Sequence, residues 1–446
     1  MRAIWPDCEP AGGRGGPCDE PGDAPGDAPR GAPCGAPDGA RFGARDDRRR
    51  FGVLMSREPA GGRMPEDRLC RMLAAAGSGM GARVIVFAPE GVRKERGAGL
   101  VRGWTLEEGG WTPLLAPVPP VFFDRRFPRT PAEQAAGARA VRILLRHGAA
   151  PLGRALPGKA QVHAALRRCA PLRPLLPPTA VFAPRRLADL LAAHPAGLFL
   201  KPAAGMQGRG TAALRPEPGG GIVRITGRTM RNRPFELRVP AERLAEAAAS
   251  LARGRPYLVQ PLLCLKTAAD EPFDLRLFVQ KDGAGVWALT GAAVRIGRPG
   301  AAASNLHGGG TARPALPFLA AMLGDRAAAR LFGRAKRAAL LAAREAERAF
   351  GRLAEIGADF GIEPGGRLWL LELNAKPGRA IFAEIGDDAG ERLAAERTIS
   401  YGLRLMAAGA PARGAPGPAL LTDRRRKRCM NGTTAHSTAT MQEVQS

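Results

Sequence analysis

No stretch of this chain approaches the ~18 to 20 consecutive apolar residues that a membrane-spanning helix needs. The N-terminus has neither the charged start nor the apolar core of a secretory signal. A cytoplasmic setting without membrane contact is the expectation. The seven cysteines are odd in number, scattered, and contain no C-x2-C pair, so neither a disulfide framework nor a zinc site is signalled. Aromatic residues make up 5%, with only two tyrosines, so stacking platforms for single-stranded bases are scarce and nucleic acid is a disfavoured partner. Lysine is also rare, at eight of 67 basic residues, and the net charge of +26 reflects an arginine bias more than a surface designed for polyanions. A basic body still attracts anions.

Several catalytic signatures are missing. There is no G-x-x-x-x-G-K-[ST], and the one conspicuous glycine-rich loop is not followed by the helix that a Rossmann fingerprint requires. Asp359-Phe-Gly361 spells a protein-kinase metal motif, but the accompanying H-R-D-x-x-x-x-N and G-x-G-x-x-G-x-V are absent. No Ser-His-Asp or Cys-His arrangement can be read, and His307 has no readable carboxylate beside it.

What is present divides the chain. Residues 1–50 repeat Gly, Ala, Pro, Asp and Arg and hold too few large apolar side chains to offset ordering entropy, so a disordered tail is expected. Its eight arginines against nine acids leave the positive excess to the body. A strand at Phe51–Leu54, a helical pattern around 65–76 and a strand at Arg83–Phe87 open a small α/β unit over 51–150. After 407 periodicity is lost, and Arg424–Arg428 heads a polar, basic tail read as a solvated charge run.

Between these limits the chemistry-bearing stretches follow one another. Helices are expected around 159–169 and 185–194. The strand Leu198-Phe-Leu-Lys-Pro202 then leads through Gly205-Met-Gln-Gly208-Arg-Gly210 into a returning strand. Backbone N–H groups of such a loop can surround phosphate oxygens, and Lys201 adds a point charge, although most glycine loops are only turns. Tyr257–Leu263 reads as a strand broken by Pro261, a hinge or an edge. Phe273–Gln280 and Val286–Ile296 form a hairpin on which Asp274 and Arg276 share a face, as in an ordinary solvent-exposed ion pair. Ser304–Gly310 is a polar glycine loop, and 317–355 is helical.

The last hairpin is the most informative. If Gly365-Gly366 makes a two-residue turn, partners sum to 731 and Asp359 lies opposite Glu372. Alternation then puts Asn374 on the face of Glu372, with Leu371 and Leu373 on the other. Two carboxylates and an amide oxygen are the hard donors that Mg2+ takes, although polar residues alternating with Leu also describe a plain solvated sheet face.

The order of these elements resembles the ATP-grasp fold, and more narrowly the YheC/YheD family of endospore coat-associated ATP-grasp proteins. The matching pieces are Phe199-Leu-Lys-Pro with Gly205-x-x-Gly-x-Gly210, Tyr257-Leu-Val-Gln260, Phe273–Lys281, Thr290–Ile296, Ser304-Asn-Leu-x-Gly-Gly309 and Leu371-Glu-Leu-Asn-x-Lys-Pro-Gly378. The resemblance implies an α+β fold in which two α+β subdomains at 151–406 grip ATP behind a small α/β N-terminal domain. It implies that Lys201 and Lys159 reach the nucleotide and that Gly205, Gln207, Gly208 and Gly210 cover its phosphates. Gln260 and the backbone at Leu262 would face adenine, and Asn305 would lie near the metal or substrate. Asp359, Glu372 and Asn374 would hold Mg2+, with Arg276 and Lys201 acting on the transferring phosphoryl group. The implied activity is ligation of a small-molecule or peptide carboxylate to an amine or thiol through an acyl-phosphate. Spore-coat proteins are the implied partners and the spore coat a second implied location. A non-catalytic coat structural or binding protein that keeps the ATP-grasp body is the alternative.

Overall fold

A computed structural model describes residues 49–59, 63–205, 208–299 and 310–409. The expected tails, apart from their inner edges, together with Gln207, Asn305 and His307, lie outside the described residues. The described residues build three sheets.

The first is assembled from β1 (Arg50–Leu54), α1 (Asp67–Gly79), β2 (Arg83–Phe87), β3 (Val92–Glu95), β4 (Ala98–Glu107), β5 (Gly110–Pro117), β6 (Val121–Asp124), α2 (Pro131–Arg146) and β7 (Ala150–Pro151). Strand order is β3-β4-β2-β1-β6-β7, with β5 pairing β4. β1 runs parallel to both β2 and β6, so its Phe51, Val53 and Leu54 are buried, as expected for a central parallel strand. α1 presents Leu69, Cys70 and Leu73 to the sheet at helical spacing. α2 starts where Thr130 accepts the N–H of Glu133, with Pro131 in the first turn.

The second sheet follows α3 (Lys159–Arg167) and comprises β8 (Ala180–Val181), β9 (Leu198–Pro202), β10 (Ala212–Pro216), β11 (Ile222–Arg228), β12 (Pro234–Pro240) and β13 (Tyr257–Pro261). Its order is β12-β11-β10-β9-β13-β8, with α4 (Leu187–Ala193) and α5 (Leu244–Ala252) packed into its core. β13 lies between β9 and β8, so Pro261 is no edge-strand proline; it ends the strand where the chain leaves for the third sheet.

The third sheet holds β14 (Phe273–Lys281), β15 (Trp287–Ile296), β16 (Thr311–Pro314), β17 (Glu355–Ile362) and β18 (Leu368–Asn374) in the order β16-β15-β14-β17-β18. Between β16 and β17 run α6 (Ala315–Leu323) and α7 (Asp325–Phe350). The buried face of α7 is mostly alanine (Ala328, Ala335, Ala338, Ala339, Ala342, Ala343, Ala346), while Arg326, Arg330, Arg334 and Arg337 are exposed. Such short side chains let the helix lie close to the sheet beneath it.

After β18 come α8 (Ala380–Glu384) and α9 (Asp388–Ala407). α9 returns to the first sheet, where Ala395, Ile399, Tyr401 and Leu405 share a core with Phe51, Val53 and Leu73. Gly402 makes this possible, because a Cβ there would stand 2.4 Å from the Phe51 ring. No helix of the described residues is long and apolar enough to cross a membrane.

Ala342 is fully buried. Its replacement by Leu overpacks the seam between α7 and the third sheet and is expected to cost about 1–3 kcal/mol. Urea unfolding should show this as a lower midpoint with unchanged slope.

Candidate active site

The pairing of Asp359 with Glu372 holds, through two irregularities that cancel. The turn is one residue longer than the two-glycine turn expected: Glu363 and Arg367 pair, leaving Pro364, Gly365 and Gly366 in the loop, with Gly366 at φ 75°. Partners near the turn therefore sum to 730, as in Phe360 with Leu370. A β-bulge then inserts Leu371 opposite the junction of Asp359 and Phe360 and restores the 731 register, so Asp359 faces Glu372 and Gly357 faces Asn374. The bulge also corrects the expectation for Leu371. Leu370 and Leu373 enter the core, whereas Leu371 turns to the side of Glu372 and lines the cleft.

That cleft, about 1010 Å³, lies where the second and third sheets and the first meet. Lys159, Lys201, Gln260, Leu371, Glu372 and Asn374 also line an adjoining slot of about 370 Å³, walled by apolar side chains including Val162, Leu166 and Leu258.

The two lysines reach the cleft from separate elements. Lys201 sits on β9 and Lys159 begins α3, and the Lys159 N–H donates to Ala203 O at 3.1 Å, which ties the helix start to the turn leaving β9. The Lys159 ammonium stands 3.0 Å from Glu372 Oε2. Burial, reinforced by the charge on Lys159, brings the Lys201 ammonium down to about 8.

The flap after β9 has glycines at positive φ, 155° at Gly205, 66° at Gly208 and 73° at Gly210. Gly205 and Gly208 line the two cavities. Gly210 does not; its carbonyl accepts from the Tyr257 hydroxyl at 2.9 Å, and a Cβ would stand 2.5 Å from Met230 Sδ, which makes it the foot of the flap. Gln260 faces both cavities while its Nε2 donates to Thr179 at 2.7 Å. Leu262 lines the larger cleft, but its N–H already donates to Gly197 O at 2.9 Å, so this amide is not turned to the cavity as expected.

Asp274 and Arg276 share a face, but the expected exposed pair is not what forms. Both are buried, and they bond elsewhere. Arg276 makes a two-pronged contact with Asp359, and Arg295 bridges Asp274 at 2.7 Å and Asp359 at 2.9 Å. Burial alone would raise the Asp359 carboxyl; the Arg276 and Arg295 guanidiniums overcome this and hold it below the usual carboxylate range. Asn374 completes the group by donating to Asp359 at 3.5 Å. Sequence reasoning gave Arg295 no role. The signal was available in the register of the β14–β15 hairpin, which sets Asp274 directly opposite Arg295.

The first sheet supplies the remaining wall. Arg125 at the end of β6 is buried, bonded to Glu66, Glu355 and Pro377 O, and Lys376 reaches back to Asp124 at 3.1 Å and Arg126 O at 3.0 Å. The loop after β18 is thereby clamped to β6.

The donor set offers two carboxylates and one amide oxygen, and among the described residues no group of three or more His, Cys, Asp or Glu is placed to hold a metal ion. Hard oxygens on one sheet face fit Mg2+, with room for water and phosphate oxygens, and do not fit a soft metal. Arg295→Met removes one guanidinium from Asp274 and Asp359 and is expected to destabilise the fold by about 3–5 kcal/mol. The stability carried by a depressed carboxyl is present above its unfolded pKa and lost as pH falls through the folded one. With one cation gone that loss should set in at higher pH, which acid unfolding followed by circular dichroism would register.

Comparison with known proteins agrees with the fold. A model of the YheC/D like ATP-grasp family matches residues 149–405. The chain is 27% identical over 332 residues to endospore coat-associated protein YheD of Bacillus subtilis, covering 72% of this chain and 70% of YheD. It is 27% identical over 247 residues to YheC of the same organism, covering 54% and 66%. Solved structures similar in part include the ATP-grasp ligase PsnB in complex with minimal precursor, Mg and ADP (15% identity, 79% of this chain and 99% of that one, TM-score 0.41). D-cycloserine synthetase DcsG is another (16%, 80% and 99%, TM-score 0.44). The match over more than half of its length shows that the chain belongs to the YheC/D-like ATP-grasp family.

Proposed function

We propose that this protein binds MgATP in the cleft and uses it to activate a carboxylate as an acyl-phosphate, which an amine or thiol acceptor then converts to an amide or thioester. The observation that carries this reading is the meeting of Asp359, Glu372 and Asn374 with Lys159 and Lys201 in one cleft beneath the glycine flap. Asp359, Glu372 and Asn374 are the residues to hold Mg2+, which when bound neutralises charge on the phosphates.

The chain's own groups do the rest. In this structure Lys159 covers Glu372 and Arg276 covers Asp359, so each carboxylate is neutralised by a cation. With a metal ion held by those carboxylates, Lys159 and Arg276 would be free to meet phosphate oxygens and the charge that builds up on the transferring group. Lys201, buried at the foot of the flap, adds a third cation, and the backbone of Gly205 and Gly208 lies against the two cavities. Leu371 and the apolar slot beside it suit the flat face of adenine, with Gln260 at the edge. In the transfer, the bond from the γ-phosphorus to the ADP oxygen breaks as a substrate carboxylate oxygen bonds to that phosphorus. The acceptor then attacks the acyl carbon, loses its proton and releases phosphate. No side-chain nucleophile is required. The relatives' names place them with the endospore coat, and a coat-linked setting is part of this proposal. The alternative, a non-catalytic coat structural or binding protein that keeps the ATP-grasp body, predicts no ADP release with any carboxylate and acceptor, whether or not the nucleotide binds.

Thermal melting with ATP, with and without Mg2+, tests the reading. MgATP should raise the melting temperature, and Glu372→Ala should weaken MgATP at least about tenfold in a folded protein; unchanged affinity would refute the metal assignment. The Lys201 ammonium supplies a second test. Its charge is present below about 8 and lost above, so MgATP affinity should be full at lower pH and fall by up to about tenfold per unit as pH rises past that value. Lys201→Arg should flatten the profile.

A further inference from the structure

Where the chain leaves the second sheet, the backbone has little with which to read a base. Pro261 has no N–H, and the Leu262 N–H is taken by Gly197 O at 2.9 Å. Discrimination along this stretch falls to the side chain of Gln260, which lines both the slot and the cleft. A carboxamide donates at one end and accepts at the other, so what it selects depends on which end faces the ligand.

That orientation is decided from β8. Its antiparallel register with β13 sets Leu258 opposite Val181 and Val259 opposite Ala180, which brings Thr179, one residue before β8, across from Gln260. The Thr179 hydroxyl lies 2.8 Å from Pro177 O. A carbonyl can only accept, so the single hydroxyl proton is committed to it, and a group meeting Thr179 Oγ1 from elsewhere must donate. The Gln260 amide meets it at 2.7 Å, so the NH2 end is turned to Thr179. His163 of α3 holds the same carbonyl, its Nε2 donating to Pro177 O at 3.1 Å, so the anchor of this relay is fixed from two elements.

The other end of the amide, Gln260 Oε1, accepts from nothing among the described residues and is not sealed away from the cavities that the side chain lines. A purine with a 6-amino group can donate to that oxygen, whereas a 6-oxo group would set acceptor against acceptor. Lys159 and Lys201, which also line the slot, do not separate the two kinds of purine, because N7 accepts in both.

Resting on the MgATP reading above, we propose that Thr179 is a positioning residue for base selection: by accepting from Gln260 it leaves Oε1 for the nucleotide, and the protein takes 6-aminopurine nucleotides in preference to 6-oxopurine ones. Without the hydroxyl the amide can turn over and offer its NH2 to a 6-oxo group.

Melting titrations of the full chain with Mg2+ and ATP, inosine triphosphate or purine riboside triphosphate, which lacks the 6-substituent, give three apparent affinities. In the native protein ATP should bind about tenfold tighter than either of the others. Thr179→Val keeps the shape of threonine without its hydroxyl and should bring ATP and inosine triphosphate to within about threefold of each other. Thr179→Ala serves the same purpose if the valine variant does not fold, and Thr179→Ser should restore the native preference. A merely structural role would weaken both nucleotides together and leave their ratio unchanged, which would overturn the proposal. So would a serine variant that behaves like the valine one, or native protein that binds the three nucleotides equally. Absence of a melting shift with every nucleotide would instead remove the MgATP reading beneath it.

Discussion

The site depends on one electrostatic constraint: carboxylates held on a largely buried sheet face must always have a cation beside them. Asp359 cannot remain ionised in that setting without compensation, and two guanidiniums provide it. Glu372, closer to solvent, is matched by a lysine from another element. The same requirement explains why arginines and lysines converge on these carboxylates.

Satisfying that constraint takes all three sheets. β17 and β18 present the acids, β14 and β15 the guanidiniums, and β9 with the start of α3 the lysines. The N-terminal sheet is joined to this arrangement by more than covalent linkage. Glu355, at the start of β17, is bonded by Arg125 just after β6 and by Arg379 from the loop after β18. α9 closes the circuit by completing the core around β1. A displacement of the first sheet would be felt at Lys376, two residues from Asn374.

The sequence was most readable where local rules and tertiary packing demanded the same thing. Alternation on β17 and β18 put Asp359, Glu372 and Asn374 on one face, because the opposite face had to be apolar enough to cover α7. The glycine flap was readable because positive φ admits little else. Elsewhere the local rules were insufficient. A turn one residue longer and a one-residue bulge further along the strands cancel, so the register came out right while Leu371 pointed the other way. Asp274 and Arg276 looked like neighbours with an exposed bond because two-residue spacing says only that they share a face, not which strands flank them.

The sequence by itself determined the family and the residues offered to the site, since donor types, glycine spacing and strand alternation are local properties that survive without coordinates. Only the tertiary structure decided which cation sits on which acid and which part of the chain forms the far wall of the cleft. Those pairings join distant residues, as Arg125 and Glu355, 230 positions apart, show. No local periodicity encodes such distances; they are set by how three separate sheets bury their apolar faces and leave their charged edges to meet.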